Sequence, residues 1–370
     1  MNNYRLLLTG ASGFIGGAVA ARLINTSRWE KTLFLIRADS NEAGVLRLVD
    51  VLRKHGVSED QLSRVRPEQI LCGDLNFVDK WENDPRLESI EDVISSAAIA
   101  SFGNNPSIWP TNVDGVLSMA HVLSRRCQLR RFLQIGTAMA CGHQAPDFVP
   151  EGYDAGSDTE HFLEYTASKY AAEKRLKKEL PDLPLIIVRP SIVVGHTRLG
   201  CQASGSIYWV FRLGRALRSF PCELDQRIDV IPVDYCAEAL HLLLDKPQLA
   251  YDAYHISSGP ERASSFREVD VSATRAMGLP PMADYQRKPF EEIAKMQDQF
   301  ADLLGPCNRR IMLRAIRTYG DFSELGMLFD NQRLLSEGMP LPPPLASYAG
   351  ACETTSQGHT IAEQMRCDYK

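Results

Sequence analysis

No uninterrupted apolar run in the 370-residue chain approaches the roughly 18 residues that cross a bilayer, so no membrane span is expected. The chain has no C-x-x-C and no H-E-x-x-H spacing. Its nine cysteines and eight histidines are scattered, which argues against a metal site. An odd cysteine count without regular spacing points to reduced thiols in a cytoplasmic protein rather than a disulfide framework. The first residues, MNNYRLLLTG, lack the charged lead and long apolar segment of a secretory signal. No basic stripe reverses the net charge of -5, so nucleic acid is not expected as a partner. Internal repeats are absent as well. What remains is an ordinary globular composition, 44% apolar, 24% charged and 8% aromatic, in a chain long enough for one large core or a domain with an added lobe.

Short apolar runs recur along the first half: YRLLLTG, KTLFLIR, EQILCGDL, DVISSAA, RRFLQIGTA and LPLIIVRPSIVVG. Amphipathic segments such as GAVAARLIN and RADSNEAGVLRLVDVLRKHG separate them. Fully apolar strands alternating with helices predict an α/β fold with a doubly wound parallel sheet, covered on both faces. The alternation is regular to about residue 195. Residues 1–195, joined again by 229–254, are expected to form a Rossmann-type nucleotide-binding domain. A smaller substrate-binding lobe is expected from 196–228 and 255–350, and a mobile tail from 351–370. In that lobe Tyr208, Trp209, Phe211 and Phe220 either line an apolar pocket or form its core, and core is the commoner fate of such residues.

TGASGFIGG places Gly10, Gly13 and Gly16 directly after the first strand and at the opening of a helix. Glycines there permit a tight turn and let backbone N–H groups approach a pyrophosphate, which the helix N-terminus favours. A carboxylate commonly ends the second strand of an NAD site, where it accepts from the ribose 2′-hydroxyl. This chain instead has Arg37, with Arg47 ten positions later, so a 2′-phosphate and hence NADP(H) is the expected cofactor.

EYTASKYAAEK contains two overlapping Tyr-x-x-x-Lys pairs, Tyr165/Lys169 and Tyr170/Lys174. On a helix, Tyr165, Lys169, Ala172 and Leu176 fall within about 60° of one another and make a face suited to burial. Tyr170 and Lys174 share the other side with Lys177 and Lys178, where water is expected. A tyrosine has a reference pKa of about 10, and an ammonium one turn away stabilises its phenolate. On spacing alone, a tyrosine capping the core beside a lysine that reaches solvent is an equal alternative. Thr137, at the end of the fifth strand in GTAMACG, tips the balance by offering a hydroxyl that can orient a carbonyl oxygen.

The turn, Thr137, Tyr165/Lys169 and RPSIVVG together resemble an extended short-chain dehydrogenase/reductase, from Arg5 to about Leu244. Within it the chain is most similar to the male-sterility branch, the fatty acyl-CoA reductases and thioester reductase domains. The features are LIRADSNEAGVLRL, a long insertion before GDL, SSAAIASFG, VRPSIVVGHTRLG and VIPVDYCAEAL. The resemblance implies that Thr137, Tyr165, Lys169 and Asn112 are catalytic. It implies cofactor contacts at Gly10, Ser12, Gly13, Phe14, Ile15, Gly16, Arg37, Arg47, Asp74, Leu75, Ala97, Ala98, Tyr165, Lys169, Pro190 and Ile192. Threonine replaces the more usual serine with the same hydroxyl chemistry. An acyl substrate on coenzyme A or an acyl carrier protein is implied by the family, not by the residues, and a homodimer is left open. A ketone/alcohol dehydrogenase or a nucleotide-sugar epimerase or dehydratase of the same fold remains the alternative. A non-catalytic NADP sensor is a third reading, disfavoured by the intact Tyr/Lys/Thr set. His196 and Arg198, in the HTRLGCQASGS rim, could meet a phosphate of coenzyme A or of a phosphopantetheine arm, although a basic loop residue is more often merely solvated.

Overall fold

In a computed structural model of the chain, which describes residues 3–103, 105–156 and 158–366, β1 (Leu6–Thr9) and β2 (Thr32–Ile36) pair in parallel. Every residue of both is buried, which is why they read as unbroken apolar runs. β3 (Ile70–Cys72) lies outside β2. On the other side of β1 come β4 (Asp92–Ser95), β5 (Arg131–Ile135), β6 (Leu185–Pro190) and β7 (Ala253–Ile256). Among the described residues these seven strands form one parallel sheet in the order 3-2-1-4-5-6-7. The order reverses between β1 and β4, and the crevice at the strand C-termini there is the ligand site of doubly wound folds.

α1 (Phe14–Leu23) follows β1 and buries Gly16, Gly17, Ala18, Val19 and Ala20, small side chains that let the helix lie close to the sheet. Gly10 adopts φ +72°, and a Cβ on it would come within 2.6 Å of the Ala97 nitrogen. A Cβ on Gly16 would meet the Gly10 carbonyl at 2.2 Å. Both close approaches require glycine. α2 (Asn41–Lys54) is capped by Ser40, whose hydroxyl accepts from the Ala43 N–H. α3 (Val116–Arg126) and α4 (Glu164–Glu179) lead into β5 and β6.

After β6 the chain builds a second apolar core from α5 (Tyr208–Leu217), with α6 (Val233–Asp245) returning to the sheet core beside α1. That second core is completed by α7 (Phe266–Ala276), α8 (Arg309–Leu325), α9 (Leu345–Ser356) and α10 (Ile361–Met365). Tyr208, Trp209 and Phe220 are buried within it. Residues 351–366, expected as part of a mobile tail, are helical and packed. Cys352, Ile361 and Met365 join the apolar core, and Glu353 accepts from Tyr208 Oη and Arg215 Nη2 at 3.1 and 2.6 Å. The remainder of that segment, 367–370, lies outside the described residues. Among the described residues no helix is long and apolar enough to cross a membrane, no His/Cys/Asp/Glu cluster could hold a metal, and eight cysteines are free thiols.

Candidate active site

Thr9, the last residue of β1, accepts from the Ser96 and Ala97 N–H groups at 3.2 and 3.1 Å and so holds the end of β4 beside the glycine turn. Gly13 is the N-cap of α1. No side chain caps this helix start and no acidic residue stands in its first turn. Its N–H groups and the positive end of the helix are therefore open to an anion such as a pyrophosphate. Arg37, 62% exposed along its side chain, lies 3.9 Å from Asp74 at the edge of β2. Arg47 reaches back from α2 to donate to the Arg37 carbonyl at 2.8 Å, so the two guanidinium groups share one surface. The Asp74 carboxylate also accepts from the Asn76 N–H. The Leu75 side chain belongs to the core, packed beneath Gly115.

At the C-terminal ends of β4, β5 and β6 a cavity of about 440 Å³ opens. Gly13, Phe14, Ile15, Ala98, Pro190 and Ile192 line one part of it, and Thr137, Tyr165 and Lys169 line another. The far wall is mostly apolar, with Phe102, Phe211, Phe266, Tyr319, Phe322 and Phe329. Three side chains singled out in the sequence thus converge on one space. Ala172 and Leu176, on the same helical face, are buried against the sheet and fix the rotation of α4. Tyr170 and Lys174 face elsewhere: the Tyr170 hydroxyl donates to the Gly156 carbonyl, and Lys174 pairs with Asp154 at 3.1 Å.

Burial pushes the Tyr165 phenol up to about 12 and the Lys169 ammonium down to about 8, the latter opposed by the Glu173 charge. A phenol so placed gives up its proton only with a cation beside it. The Phe102 ring stands edge-on to Tyr165, with centroids 6.3 Å apart. Thr137 Oγ1 accepts from the Met139 N–H at 3.3 Å, which leaves its own hydrogen free to donate into the cavity. Asn112 does not line the cavity. Its Oδ1 accepts from the Ile99 N–H, and its Nδ2 donates to the Ile99 carbonyl and to Ser168 Oγ, tying the segment after β4 to α4.

Sequence reasoning missed Glu173, Arg189, Asp229 and Ser191. Asp229 and Ser191 line the cavity, while Arg189 pairs with Glu173. The available signal was charge in an otherwise apolar strand, as at Arg189 in LIIVRP. The rim expectation divides: Arg198 is exposed, but His196 is turned inward. His196 Nδ1 accepts from the Arg198 N–H at 3.1 Å and lies 3.7 Å from Asp234, and burial lowers its pKa.

Residues 8–240 match the family profile described as male sterility protein, a nicotinamide-nucleotide-binding one. The chain belongs to that family. The family match and the fold place it among the NAD(P)-dependent oxidoreductases of the extended short-chain dehydrogenase/reductase type. It is 26% identical over 278 residues to aldehyde reductase lnaA of Aspergillus flavus, covering 68% of this chain and 25% of that protein. It is 22% identical over 359 residues to probable fatty acyl-CoA reductase 5 of Arabidopsis thaliana, covering 76% and 72%. The chain spans about a quarter of the length of the first curated relatives it matches. Among solved structures, the terminal R domain of the myxalamid PKS-NRPS pathway superposes with a TM-score of 0.77 at 20% identity, covering 96% of this chain and 91% of that one. That likeness is one of fold.

Proposed function

We propose that this chain is an NADPH-dependent reductase of acyl thioesters, presented on coenzyme A or a carrier protein, with an aldehyde or alcohol as product. The observation that carries the reading is the convergence of Thr137, Tyr165 and Lys169 on a cavity whose opposite wall is apolar. The names of the relatives, an aldehyde reductase and a fatty acyl-CoA reductase, support the thioester end of it. We assign residues 1–195 and 229–254 to nucleotide binding, and 196–228 with 255–350 to the substrate, 351–366 packing with the latter.

The uncapped start of α1 at Gly13 fits a pyrophosphate, and Arg37 with Arg47 fits a 2′-phosphate. NADPH, when bound, supplies a hydride to the carbonyl carbon of the substrate. Thr137 donates a hydrogen bond to the carbonyl oxygen and fixes its direction. Tyr165 gives that oxygen its proton, and the Lys169 ammonium stabilises the phenolate left behind. The thiohemiacetal so formed loses its hydroxyl proton as the C–S bond breaks, and that proton leaves with sulfur as the free thiol, giving the aldehyde. Water is kept out by the aromatic wall, which strengthens both interactions. Arg198, exposed in the loop after β6, would offer a cation to a phosphate of the thioester carrier.

The test is product analysis with acyl-coenzyme A, acyl-pantetheine and simple ketones offered in parallel. Thioester-dependent NADPH consumption with release of free thiol is the expected result. Rapid ketone reduction with no thioester turnover would overturn the reading in favour of a ketone/alcohol dehydrogenase.

A further inference from the structure

Glu173 lies one helical turn beyond Lys169 on α4 and is 2% exposed. Its Oε2 accepts from Nε and Nη2 of Arg189 at 2.9 and 2.7 Å. Its Oε1 is buried with no hydrogen-bond partner among the described residues. Leaving a buried acceptor unsatisfied costs roughly 1–3 kcal/mol, and more for a charged one, so the ion pair alone does not account for this placement. The free oxygen rests against the bare Cα of Gly136, where a Cβ would come within 2.1 Å of it. Gly136 lines the catalytic cavity and immediately precedes Thr137. The carboxylate therefore stands directly behind the reacting edge of the sheet.

Lys169 is 3% exposed, and no carboxylate of the described residues pairs with it directly. Resting on the reading of Lys169 above, we propose that Glu173, clamped by Arg189, is a positioning residue whose carboxylate keeps the buried Lys169 side chain protonated for Tyr165. The charge acts between two buried side chains, where its reach exceeds that in water. Arg189 fixes the carboxylate by a two-pronged contact at Oε2, and both residues line a second, polar pocket. The other charged and titratable groups of this region are Tyr165 on the same helix, the Cys141 thiol after β5, pushed up to about 12 by burial, and, around the polar pocket, Asp154 with its partner Lys174, Glu151, Tyr153, Tyr170, Lys177, Asp252, His255 and Arg333. Asp229 and Arg227 stand across the cavity. Asp229 already accepts from the Ser258 and Phe329 N–H groups, and Arg227 donates to the Ala263 carbonyl. Glu173, one turn away on the same helix, is the acidic group that opposes the desolvation lowering Lys169 to about 8.

The experiment reads the Lys169 amine directly, by ¹³C NMR of full-length enzyme carrying ε-labelled lysine. The resonance is identified by its loss in Lys169→Arg. Glu173→Gln should lower the titration midpoint by about one pH unit, because the charge favouring the ammonium is gone. The alkaline limb of kcat/KM should move down with it, so that the variant recovers activity as pH falls. A merely structural role would reduce activity by one factor at every pH. Because Glu173→Gln leaves Arg189 buried and unpaired, the double variant Glu173→Gln/Arg189→Met is measured as well, and a smaller downward shift is expected, since the cation that disfavours the ammonium is removed with the carboxylate. An unmoved midpoint in both variants overturns the inference while leaving the roles of Tyr165 and Lys169 standing. Full activity in Lys169→Met overturns the reading on which it rests.

Discussion

Two tyrosines five residues apart on one helix differ in everything but spacing. Tyr165 faces the cavity beneath an aromatic wall, whereas Tyr170 is bonded to a surface loop. Tyr165→Phe removes only the phenolic oxygen, so kcat should fall by about 10²–10⁴-fold with NADPH affinity kept, while Tyr170→Phe stays near wild type. Steady-state kinetics with a fluorescence titration of NADPH decides it, and the reverse ranking would sink the assignment of roles on α4. Arg37→Asp replaces attraction to a 2′-phosphate by repulsion. KM for NADPH should rise tenfold or more, with that for NADH little changed, and equal losses would mark Arg37 as structural.

At the scale of elements, the glycine turn and the strand after it form one unit. Gly10→Ala forces a side chain into φ +72° and against the Ala97 backbone, a displacement of β1 relative to β4. A loss of about 1–3 kcal/mol in unfolding free energy is expected, with NADPH binding weakened in parallel, as read by urea denaturation and cofactor titration. Unchanged stability would mean that the turn relaxes freely. These elements were legible in the sequence because strands buried on both faces are apolar without interruption, and α4 was legible because its helical period separates Tyr165 from Tyr170. The contacts of Asn112 were not legible from position alone. Its amide is engaged by Ile99 and Ser168, contacts between segments far apart in the chain. His196 misled for the same reason: a loop histidine reads as solvated until Asp234 and the Arg198 N–H close around it. The packing of 351–366 was hidden because its anchors, Arg215 and Tyr208, lie about 140 residues upstream and local composition does not register them.

Across the whole molecule, burial lowers the pKa of His161 and His196 and, by more, of three further histidines, His55 and His241 to about 4 and His255 to about 3. Below pH 6.5 the unfolded chain protonates them and the fold does not. Their contribution is therefore complete above that pH and lost as pH falls, at about 1.4 kcal/mol per unit each. Glu151, raised to about 7 by burial, acts in the opposite sense and offsets one of the three. The urea midpoint should drop clearly between pH 7 and pH 5, and a flat or rising midpoint would show that these histidines take up protons in the folded state. Fold and cofactor class followed from patterns within some 200 residues, whereas the apolar wall of the cavity is assembled from α5, α7, α8 and their loops, which no local pattern encodes. The central claim is thioester reduction in that cavity, and one measurement meets it most directly: mass spectrometry of the product formed from an acyl-pantetheine thioester and 4-deuterated NADPH. Deuterium at the former carbonyl carbon of a released aldehyde or alcohol is the expected result. An intact, unlabelled thioester, under conditions where the same enzyme deuterates a simple ketone, would contradict it.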